Sequence, residues 1–512
     1  MKLSELLNDV KISRLENFYD IEVKGLTDNS REVKDGFIFV ALKGAVLDGN
    51  IFIEEALKNG AAGIVLENNL NWPLKEINKQ GLFNTLIYAE DARRLLWQFA
   101  SRFYGYPSRE IRCIGITGTN GKTTTAYILE SIFRQASISS GCRKFNCGVM
   151  GTVNYRYKNN IINAPNTTPS PILLQSLLSK MVYSGVDYCV MEVSSHSLEQ
   201  QRVGGIDFKC AVFTNLTSDH LDYHKDVSSY FGAKAKLFKI LKKDAVAVIN
   251  ADDAYGQLLL KLPHEKVFTY AIDSHADYMA YGLEFDFNGS RFNVAMPSGD
   301  IRINSKLIGR HNVYNILAAI AAAASEGVDL DDIIKGINDL IVVEGRLQKI
   351  EGHYPFDVFV DYAHTEDALK NILFSLREIN NARKNSSGKR RGRIIVVFGC
   401  GGDRDKTKRP FMGRIASSLA DHVIVTCDNP RREDPDGIIN EIIGGMEKNN
   451  FEKIVDRYQA IEKALYSAAA GDIVLIAGKG HEGYQIFADR KIDFDDRKAA
   501  KEILDKIPNP EL

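Results

Sequence analysis

The segment of this chain that points most directly to chemistry is Ile114-Gly-Ile-Thr-Gly-Thr-Asn-Gly-Lys-Thr-Thr-Thr125. An apolar strand runs into a glycine turn there, and Lys122 and Thr123 begin a predicted helix in a G-x-x-G-K-T pattern. Gly118 and Gly121 let backbone N–H groups converge on phosphate oxygens, and the helix directs its positive end at the same anion. A purely structural glycine turn is the alternative, but a Lys-Thr pair directly after an apolar strand favours a site for a nucleoside triphosphate.

Further polar side chains follow two other apolar strands. Glu192 ends the strand in Val190-Met-Glu-Val-Ser-Ser-His196, where functional groups collect in a parallel sheet. A Mg²⁺ shared with Thr123, or a salt bridge, would supply the partner that this carboxylate needs. Residues 214–224 then carry Asp219, His220, Asp222 and His224. Such density favours a metal or phosphate site, although His224 taken alone could be a surface histidine.

These motifs need alternating strands and helices to position them, and the sequence predicts such an α/β scaffold. The first hundred residues indicate a small α/β unit, and a mostly parallel sheet covered on both faces follows it. A Rossmann-type unit begins near Arg346. The predicted strands include 111–117, 188–193, 210–214, 245–250, 358–362, 394–398, 423–427 and 473–477, and the predicted helices include 53–58, 312–325, 365–376 and 458–469. At about 150 residues per domain, the 512 residues favour three domains.

Composition excludes several classes of protein. The 65 Lys and Arg residues balance 66 Asp and Glu residues, so no global charge attracts nucleic acid or an anionic membrane. The seven cysteines are sparse and predicted to be reduced thiols. We expect a cytoplasmic protein, because the chain has no signal-peptide pattern and no stretch of about 18 apolar residues that could span a membrane. Residues 380–393 are basic but lack interleaved aromatic residues, and we expect a surface loop there.

Several motifs, which occur in the same order as in the family, resemble those of the Mur ligase superfamily. They are Gly118-Thr-Asn-Gly-Lys-Thr-Thr124, Asn166-Thr-Thr-Pro169, Glu192-Val-Ser-Ser-His196, Gln200-Gln-Arg202, Asp219-His-Leu-Asp222, Gly399-Cys-Gly-Gly-Asp-Arg-Asp405, Asp428-Asn-Pro-Arg431 and Gly478-Lys-Gly-His-Glu482. Within the superfamily they are most similar to the ligases that act on UDP-N-acetylmuramoyl-L-alanyl-D-glutamate. The resemblance covers all three predicted units.

The resemblance implies both an architecture and a reaction. We expect a UDP-binding domain over residues 1–108, a central ATP-binding domain over 109–345 and an amino-acid-binding domain over 346–512. The implied reaction is the ATP-dependent addition of a diamino acid to the D-glutamate side chain through an acyl phosphate, with Mg²⁺ as cofactor. This is a step of the cytoplasmic stage of peptidoglycan synthesis.

The resemblance also assigns residues to the ATP and metal sites. The implied ATP-binding residues are Gly118, Thr119, Asn120, Gly121, Lys122, Thr123, Thr124, Asn312, Arg346 and Asp361. Asn312 could equally be a helix N-cap, and an interdomain salt bridge between Arg346 and Asp361 is an alternative. The implied catalytic residues are Lys122, His220 and Lys234, and the implied metal ligands are Thr123, Glu192, His220 and Lys234. Lys234 matches the family lysine that takes up CO₂ as a carbamate, although without the resemblance it would be interpreted as a helix-surface lysine.

Two further groups of residues are implied to bind the other substrates. For the UDP-linked dipeptide they are Ser30, Asn166, Thr167, Thr168, Ser194, Gln200 and Arg202, and for the amino acid they are Arg404, Asp428, Asn429, Pro430, Arg431, Gly478 and Glu482. Asn29 interrupts the family's Asp-Ser-Arg signature, and residues 45–47 lack the polar side chains that some members use near the uracil. The details of uridine recognition are therefore not predicted.

The presence of Arg431 indicates that the added diamino acid is meso-diaminopimelate. Meso-diaminopimelate keeps a carboxylate at its distal end, which a guanidinium can hold through two parallel hydrogen bonds, whereas L-lysine has none. The alternative for Arg431 is a solvated loop charge beside Arg432. Alternatives for the whole chain are an L-lysine-adding ligase, another ligase of the MurF or folylpolyglutamate synthase type, and a non-catalytic ATP-binding module. We expect a monomer.

Overall fold

The structure, a computed structural model, describes residues 1–44, 47–68, 84–136, 145–352, 354–387 and 391–507. The chain divides into two units. The first unit comprises Met1–Thr117, Phe145–Ala211 and Ala233–Val246, and the second comprises Gly118–Lys144, Val212–Gly232 and Ala247–Leu512. Residues 45 and 46, where the sequence departs from the family near the predicted uridine site, lie outside the described residues, as does Cys142. The six described cysteines are buried free thiols.

A five-stranded sheet forms the amino-terminal part of the first unit. Its strands are β1 (Arg14–Glu16), β2 (Gly25–Thr27), β3 (Phe37–Val40), β4 (Ala61–Glu67) and β5 (Thr85–Ala89), with helices Leu3–Leu7, Ile53–Lys58 and Ala92–Phe103 and 3-10 helices Ser30–Glu32, Gly49–Phe52 and Pro107–Arg109. The order is β1-β5-β4-β3-β2, and only β1 is antiparallel to its neighbour. Phe39 and Val40 belong to two different buried clusters because successive side chains of a strand point to opposite faces. Both faces are therefore covered.

The first unit also contains the strand that ends at Glu192. Its remaining strands are β6 (Arg112–Thr117), β7 (Cys147–Met150), β8 (Asn154–Tyr157), β9 (Asn160–Asn163) and β10 (Tyr188–Glu192), and its helices are Pro171–Tyr183 and Ser195–Glu199. β10 is parallel to both β6 and β7, whereas β7, β8 and β9 form antiparallel hairpins. All residues of β10 are buried, so Glu192 is inside the protein at the strand's carboxyl end. β11 (Phe208–Phe213), helix Val227–Lys239 and β12 (Val246–Asn250) have residues in both units.

The first part of the second unit contains the helix that follows the phosphate-binding motif. Its helices are Lys122–Gln135, Leu221–His224, Ala254–Leu259, Arg310–Ser325 and Leu330–Asp339, and its strands are β13 (Val267–Ala271), β14 (Tyr278–Asp286), β15 (Gly289–Ala295) and β16 (Ile301–Ser305). β12, β13 and β14 are parallel, and β14, β15 and β16 are antiparallel. Helix Arg310–Ser325 begins two residues earlier than predicted, with Gly309 as its N-cap. The N-cap interpretation of Asn312 is therefore wrong.

The carboxyl-terminal part of the second unit is a six-stranded sheet. Its strands are β17 (Gln348–Lys349), β18 (Asp357–Asp361), β19 (Ile394–Phe398), β20 (His422–Val425), β21 (Phe451–Lys453) and β22 (Ile473–Ala477), followed by the hairpin β23 (Tyr484–Ile486) and β24 (Lys491–Asp493). Its helices are Glu366–Ser387, Lys408–Leu419, Pro435–Ile443, Arg457–Ser467 and Asp496–Leu504. The order is β17-β18-β22-β19-β20-β21, and only β17 is antiparallel to its neighbour. Buried apolar clusters cover both faces, as in a Rossmann-type sheet.

The predicted α/β fold class is confirmed, with one correction in the carboxyl-terminal part. The helix predicted over 365–376 continues to Ser387, so residues 380–387 of the predicted basic loop are helical. The extension has a physical cause, because Ile379 is buried one turn after Leu376 in the same apolar cluster. Residues 388–390 of that segment lie outside the described residues.

Candidate active site

The phosphate-binding motif forms a tight loop in the second unit. Gly118 and Gly121 have φ angles of +143° and +89°, which side chains rarely allow. A Cβ on Gly121 would lie 2.2 Å from Oδ1 of Asn315, so only glycine fits there. The Lys122 ammonium donates to the carbonyl oxygens of Gly118 at 2.9 Å and Thr119 at 2.8 Å. Lys122 thus lies against the loop that would receive the phosphates.

The segment after β11 supports this loop. The Asn120 N–H donates to Oδ1 of Asn215 at 2.9 Å, and the Thr214 hydroxyl donates to the Asn120 carbonyl at 2.6 Å. The Thr119 hydroxyl donates to the carbonyl of Thr217 at 3.2 Å. The loop is therefore held by the segment that leads to Asp219 and His220.

Arg346 contacts the first turn of helix Lys122–Gln135. Its Nη2 donates to the Thr123 hydroxyl at 3.1 Å, and its guanidinium carbon lies 4.5 Å from the ring centroid of Tyr362. Asp361 instead accepts backbone N–H groups, from Leu347 at 2.5 Å and from residue 363 at 2.6 Å. Among the described residues no direct ion pair joins Arg346 to Asp361. Burial raises the pKa of Asp361 to about 6, although the charge of Arg346 acts to lower the pKa of that carboxyl group.

Asp219 and His220 lie close to a histidine from the carboxyl-terminal part of the same unit. His220 has a φ of +55°, and its Nε2 is 3.4 Å from Oδ2 of Asp219. Burial acts to raise the pKa of Asp219, but the charges of His220, His364 and Lys408 outweigh it and lower that pKa to about 2. Burial lowers the pKa of His364 to about 4. Asp219 is therefore a carboxylate at neutral pH and His364 a neutral imidazole.

The remaining polar residues near this segment have different environments. His224 is buried at 6% exposure, with its ring 5.1 Å from that of Tyr230, so it is a packed histidine and not a surface one. Asp222 is exposed. Asn312 is buried, donates to the carbonyl of Ile308 at 2.8 Å and accepts from Nδ2 of Asn315 at 3.0 Å. Because Asn315 faces Gly121, this pair links helix Arg310–Ser325 to the phosphate loop.

Glu192 lies in the first unit, where Thr152 binds both of its carboxylate oxygens. The Thr152 N–H donates to Oε1 and its hydroxyl donates to Oε2, each at 2.9 Å. Gly151 leaves room for this carboxylate, because a Cβ on it would lie 2.2 Å from Oε1. Glu192 is only 1% exposed. Thr152 was not predicted as a site residue, because it follows a strand that was not predicted either.

Most residues predicted to bind the UDP-linked dipeptide surround the end of β10. The Thr168 hydroxyl donates to the Glu192 carbonyl at 2.8 Å and accepts the Ser194 N–H at 3.1 Å. Arg202 donates to the Thr168 carbonyl at 3.0 Å and to Oε1 of Gln200 at 2.7 Å. The structure thus brings Thr168, Ser194, Gln200 and Arg202 together around one strand end.

The other residues of this predicted group have separate contacts. The Thr167 hydroxyl lies 3.1 Å from that of Thr152, and the Asn166 carbonyl accepts the hydroxyl of Tyr155. Ser30 is buried and donates to Oε2 of Glu55 at 2.5 Å. Ser30 is therefore engaged beside the amino-terminal sheet, and no hydrogen bond connects it to the residues at the end of β10 within the described part of the chain.

Lys234 is 1% exposed in helix Val227–Lys239. The interpretation of it as a helix-surface lysine is wrong, and Lys236 shows the contrast, because its half-exposed ammonium pairs with Glu199 at 2.6 Å. Burying a lysine is costly unless its charge is compensated or chemically changed. A carbamate on Lys234 would replace the ammonium by a carboxylate-like group.

A compact polar cluster lies where β20 and β22 end. It consists of Asp428, Asn429, Lys479 and Glu482. The Lys479 ammonium is 3.2 Å from Oδ1 of Asp428, 3.1 Å from Oδ1 of Asn429 and 3.4 Å from Oε2 of Glu482. Nδ2 of Asn429 donates to the same Oε2 at 2.9 Å, and the Tyr362 hydroxyl donates to Oε1 of Glu482 at 3.4 Å. Lys479 was not predicted as a site residue. Its position between Gly478 and Gly480, within a motif of the family, was a signal that could have identified it.

Arg431 lies beside this cluster. Its Nη1 donates to the carbonyls of Gly402 at 2.7 Å and Asn429 at 3.5 Å. Its backbone has a φ of +50°, and its N–H donates to the Ile486 carbonyl at 2.9 Å, which ties the loop to β23. The neighbouring Arg432 side chain is 82% exposed.

The remaining residues predicted to bind the amino acid have different environments. Pro430 is buried, Arg404 is exposed, and the Gly478 N–H donates to the carbonyl of Asp361 at 3.0 Å.

The predicted metal ligands divide between the units. Thr123 and His220 belong to the second unit, and Glu192 and Lys234 belong to the first. Across the described ranges, no group of three or more His, Cys, Asp or Glu side chains is arranged to hold a metal ion. No helix in the described part of the chain is long and apolar enough to cross a membrane.

Comparisons with known proteins match nearly the whole chain. Residues 22–104 match a model described as Mur ligase family, catalytic domain, residues 116–323 match the Mur ligase middle domain, and residues 345–480 match the Mur ligase glutamate ligase domain. A relative from Clostridium tetani is 40% identical over 99% of this chain and 100% of its own, and one from Syntrophomonas wolfei is 41% identical over 98% and 99%. Both are named UDP-N-acetylmuramoyl-L-alanyl-D-glutamate–2,6-diaminopimelate ligase. A solved structure of a ligase with that name is 33% identical, has a TM-score of 0.65 and covers 99% of each chain.

Proposed function

The chain belongs to the Mur ligase family and is an ATP-dependent ligase, and from this premise we propose that it adds meso-2,6-diaminopimelate to UDP-N-acetylmuramoyl-L-alanyl-D-glutamate. The observation that carries the proposal is the cluster around Asn429. This residue contacts both the Arg431 guanidinium, at 3.5 Å through its carbonyl, and the Glu482 carboxylate, at 2.9 Å through its side chain. A cation and an anion held on either side of one residue are complementary to the carboxylate and ammonium of an amino-acid end.

Three domains would divide the work, at residues 1–108, 109–345 and 346–512. The three family matches support these boundaries. The first match ends at residue 104 and the second begins at residue 116, and the second ends at residue 323 and the third begins at residue 345. The amino-terminal domain would bind the UDP end, with Ser30 at its site. The central domain would bind ATP, and the carboxyl-terminal domain would bind the diamino acid.

The phosphate loop suits the first half of the reaction, in which the γ-phosphoryl group of ATP passes to the D-glutamate side-chain carboxylate. A carboxylate is a poor electrophile, and the acyl phosphate provides a leaving group that the amine can displace. Backbone N–H groups between Gly118 and Thr124 would hold the phosphates, and Lys122 would neutralise charge that grows on them. Arg346 already contacts Thr123 and would add a second cation. Asn312 and Asp361 would complete the nucleotide site.

By the family resemblance, Thr123, Glu192, His220 and a carbamate on Lys234 would hold Mg²⁺, which prefers hard oxygen ligands. Bound there, the ion would supply charge neutralisation for the phosphates. The structural support for the carbamate is the burial of Lys234 at 1% exposure. Thr152 would fix the orientation of Glu192, because it already binds both carboxylate oxygens.

The residues at the end of β10 suit the D-glutamate carboxylate of the UDP-linked dipeptide. Asn166, Thr167, Thr168, Ser194, Gln200 and Arg202 offer hydroxyl, amide and guanidinium groups for a peptide that carries carboxylates. Arg202 is already oriented by Gln200 and by the Thr168 carbonyl. A closed site around these groups would also exclude water, which would otherwise hydrolyse the acyl phosphate.

The proposal places the enzyme in the cytoplasmic stage of peptidoglycan synthesis, acting as a monomer without nucleic acid or membrane. A panel of amino acids, incubated with ATP and the UDP-linked dipeptide, tests it. We expect ADP release and tripeptide formation with meso-diaminopimelate. Preference for L-lysine would identify the lysine-adding form, turnover only with D-alanyl-D-alanine or a folate would identify another ligase of the superfamily, and ATP binding without any turnover would identify a non-catalytic module.

A further inference from the structure

Lys479 is the cation of the cluster formed with Asp428, Asn429 and Glu482, and the reaction as proposed gives it no role. Its side chain is 0% exposed. Its ammonium reaches three different side chains within 3.4 Å: Asp428, Asn429 and Glu482. A lysine that gives up all of its solvation must gain from these contacts, because an unpaired buried ammonium is very unfavourable.

The cluster needs a cation because it holds two carboxylates around one amide. Asn429 donates to Glu482 through Nδ2 at 2.9 Å, and its Oδ1 accepts from Lys479 and from the Ile486 N–H at 3.0 Å. The buried Asp428 and the partly buried Glu482 would repel each other without a positive charge between them. Burial acts to raise the pKa of Asp428, but the charges of Lys479 and Arg457 outweigh it and lower that pKa.

The backbone on either side of Lys479 is built to turn this side chain inward. Gly478 and Gly480 have φ angles of +115° and +53°, which lie in the left-handed region. A Cβ on Gly480 would lie 2.7 Å from the carbonyl oxygen of Gly345 and 2.7 Å from Cβ of Tyr362. Gly480 therefore lets the loop approach its neighbours closely, while Gly478 supplies a positive φ, and the lysine between them points to Asp428.

We propose that Lys479 is the positioning residue of the diamino-acid site. It sets the orientation of Asn429 and Glu482, and it neutralises one of the two carboxylates so that the cluster presents a single net negative charge to the distal ammonium of the acceptor. Lys479 itself does not touch the reacting atoms. The inference rests on the proposed function, since it names what the cluster holds.

The test compares Lys479→Met, which removes both charge and donor, with Lys479→Gln, which removes the charge and keeps a donor. Arg393→Met is the matched control, because Arg393 pairs with the buried Asp472 at 2.7 Å just before β22, whereas Lys479 follows the other end of that strand. Each variant is assayed for kcat and for KM toward meso-diaminopimelate, ATP and the UDP-linked dipeptide. A thermal melt is recorded alongside.

The positioning role predicts a selective change in one constant. For Lys479→Met, KM for meso-diaminopimelate should rise by about tenfold or more, while KM for ATP should stay within about twofold, since a lost charge-assisted contact costs roughly this much. Lys479→Gln should lie between Lys479→Met and wild type. Arg393→Met should lower the melting temperature without raising KM for the diamino acid.

Other outcomes overturn the inference. If the Lys479 variants keep wild-type KM for the diamino acid, if all three KM values rise together, or if neither variant folds, Lys479 is only a structural ion pair. A wild-type enzyme that does not use diaminopimelate at all would instead refute the proposed function, and that result is obtained before any variant is made.

Discussion

Replacing Arg431 by methionine should remove the preference for meso-diaminopimelate over L-lysine. In the described part of the chain, the side-chain hydrogen bonds of Arg431 all come from Nη1, which donates to the carbonyls of Gly402 and Asn429. Nε and Nη2 therefore remain for a ligand, and they have the parallel geometry that a carboxylate accepts. The carbonyl contacts hold the guanidinium in place before the acceptor arrives, so little side-chain entropy is lost on binding.

The size of the effect follows from the contacts that would be lost. A hydrogen bond to a charged group contributes about 1.5–3 kcal/mol, which corresponds to roughly tenfold to a hundredfold in kcat/KM. Arg431→Met should lower kcat/KM for meso-diaminopimelate by this factor and leave the value for L-lysine nearly unchanged, because lysine has no distal carboxylate. The ratio of the two values should fall accordingly.

Steady-state kinetics with both amino acids provide the measurement, and Arg432→Met is the matched control. Arg432 is the next residue, carries the same charge and is 82% exposed, with its Nε 2.9 Å from Asp403. It should leave the ratio unchanged. The reasoning fails if Arg431→Met preserves the ratio, or if the Arg432 variant lowers it equally, since either result would mean that only the general charge of the loop matters.

Three further predictions concern the ATP site and its surroundings. Lys234→Ala should lose most activity, with partial rescue by a short carboxylate, and ¹³C NMR of enzyme in labelled bicarbonate should show a carbamate signal that the variant lacks. Lys122→Ala and Glu192→Ala should abolish tripeptide formation while thermal melts stay cooperative; a Glu192 variant that melts without cooperativity yet turns over ATP would indicate a structural role. Burial raises the pKa of Asp361 to about 6 from 3.8, so its contribution to stability is fully present below pH 3.8 and is lost as pH rises through 6. The free energy of unfolding of wild type minus that of Asp361→Asn should fall by about 2.4 kcal/mol between pH 4 and 7, and a flat difference in denaturant titrations would contradict this.

The parts of the fold that were predicted are those with one dominant physical signal. β19 and β22 have the predicted bounds because Ile394–Phe398 and Ile473–Ala477 are continuous apolar runs that are buried throughout. The antiparallel strands β14 to β16 were not predicted, although Ile301–Ser305 alternates buried and exposed residues as a half-exposed strand does. Short alternating strands give a weaker signal than buried parallel ones, so they were missed.

The site was predicted less completely, because contacts between distant segments leave little trace in a sequence. The motif at Asp219 was visible, but its low pKa depends on His364 and Lys408, which come from the carboxyl-terminal part of the unit. Glu192 was visible at a strand end, but its partner Thr152 was not. Motifs indicate which side chains can do chemistry, and only the fold determines which neighbours set their charge and orientation.

Tyr362 shows how the nucleotide and acceptor parts of the second unit are joined. Its ring lies under the Arg346 guanidinium, which donates to Thr123 beside the phosphate loop. Its hydroxyl donates to Glu482, which also binds Lys479. Both contacts originate from one residue directly after β18, so a single side chain borders the Arg346 guanidinium and also donates to Glu482. Tyr362 is therefore a structural element common to the phosphate-loop side and the diamino-acid side of the second unit.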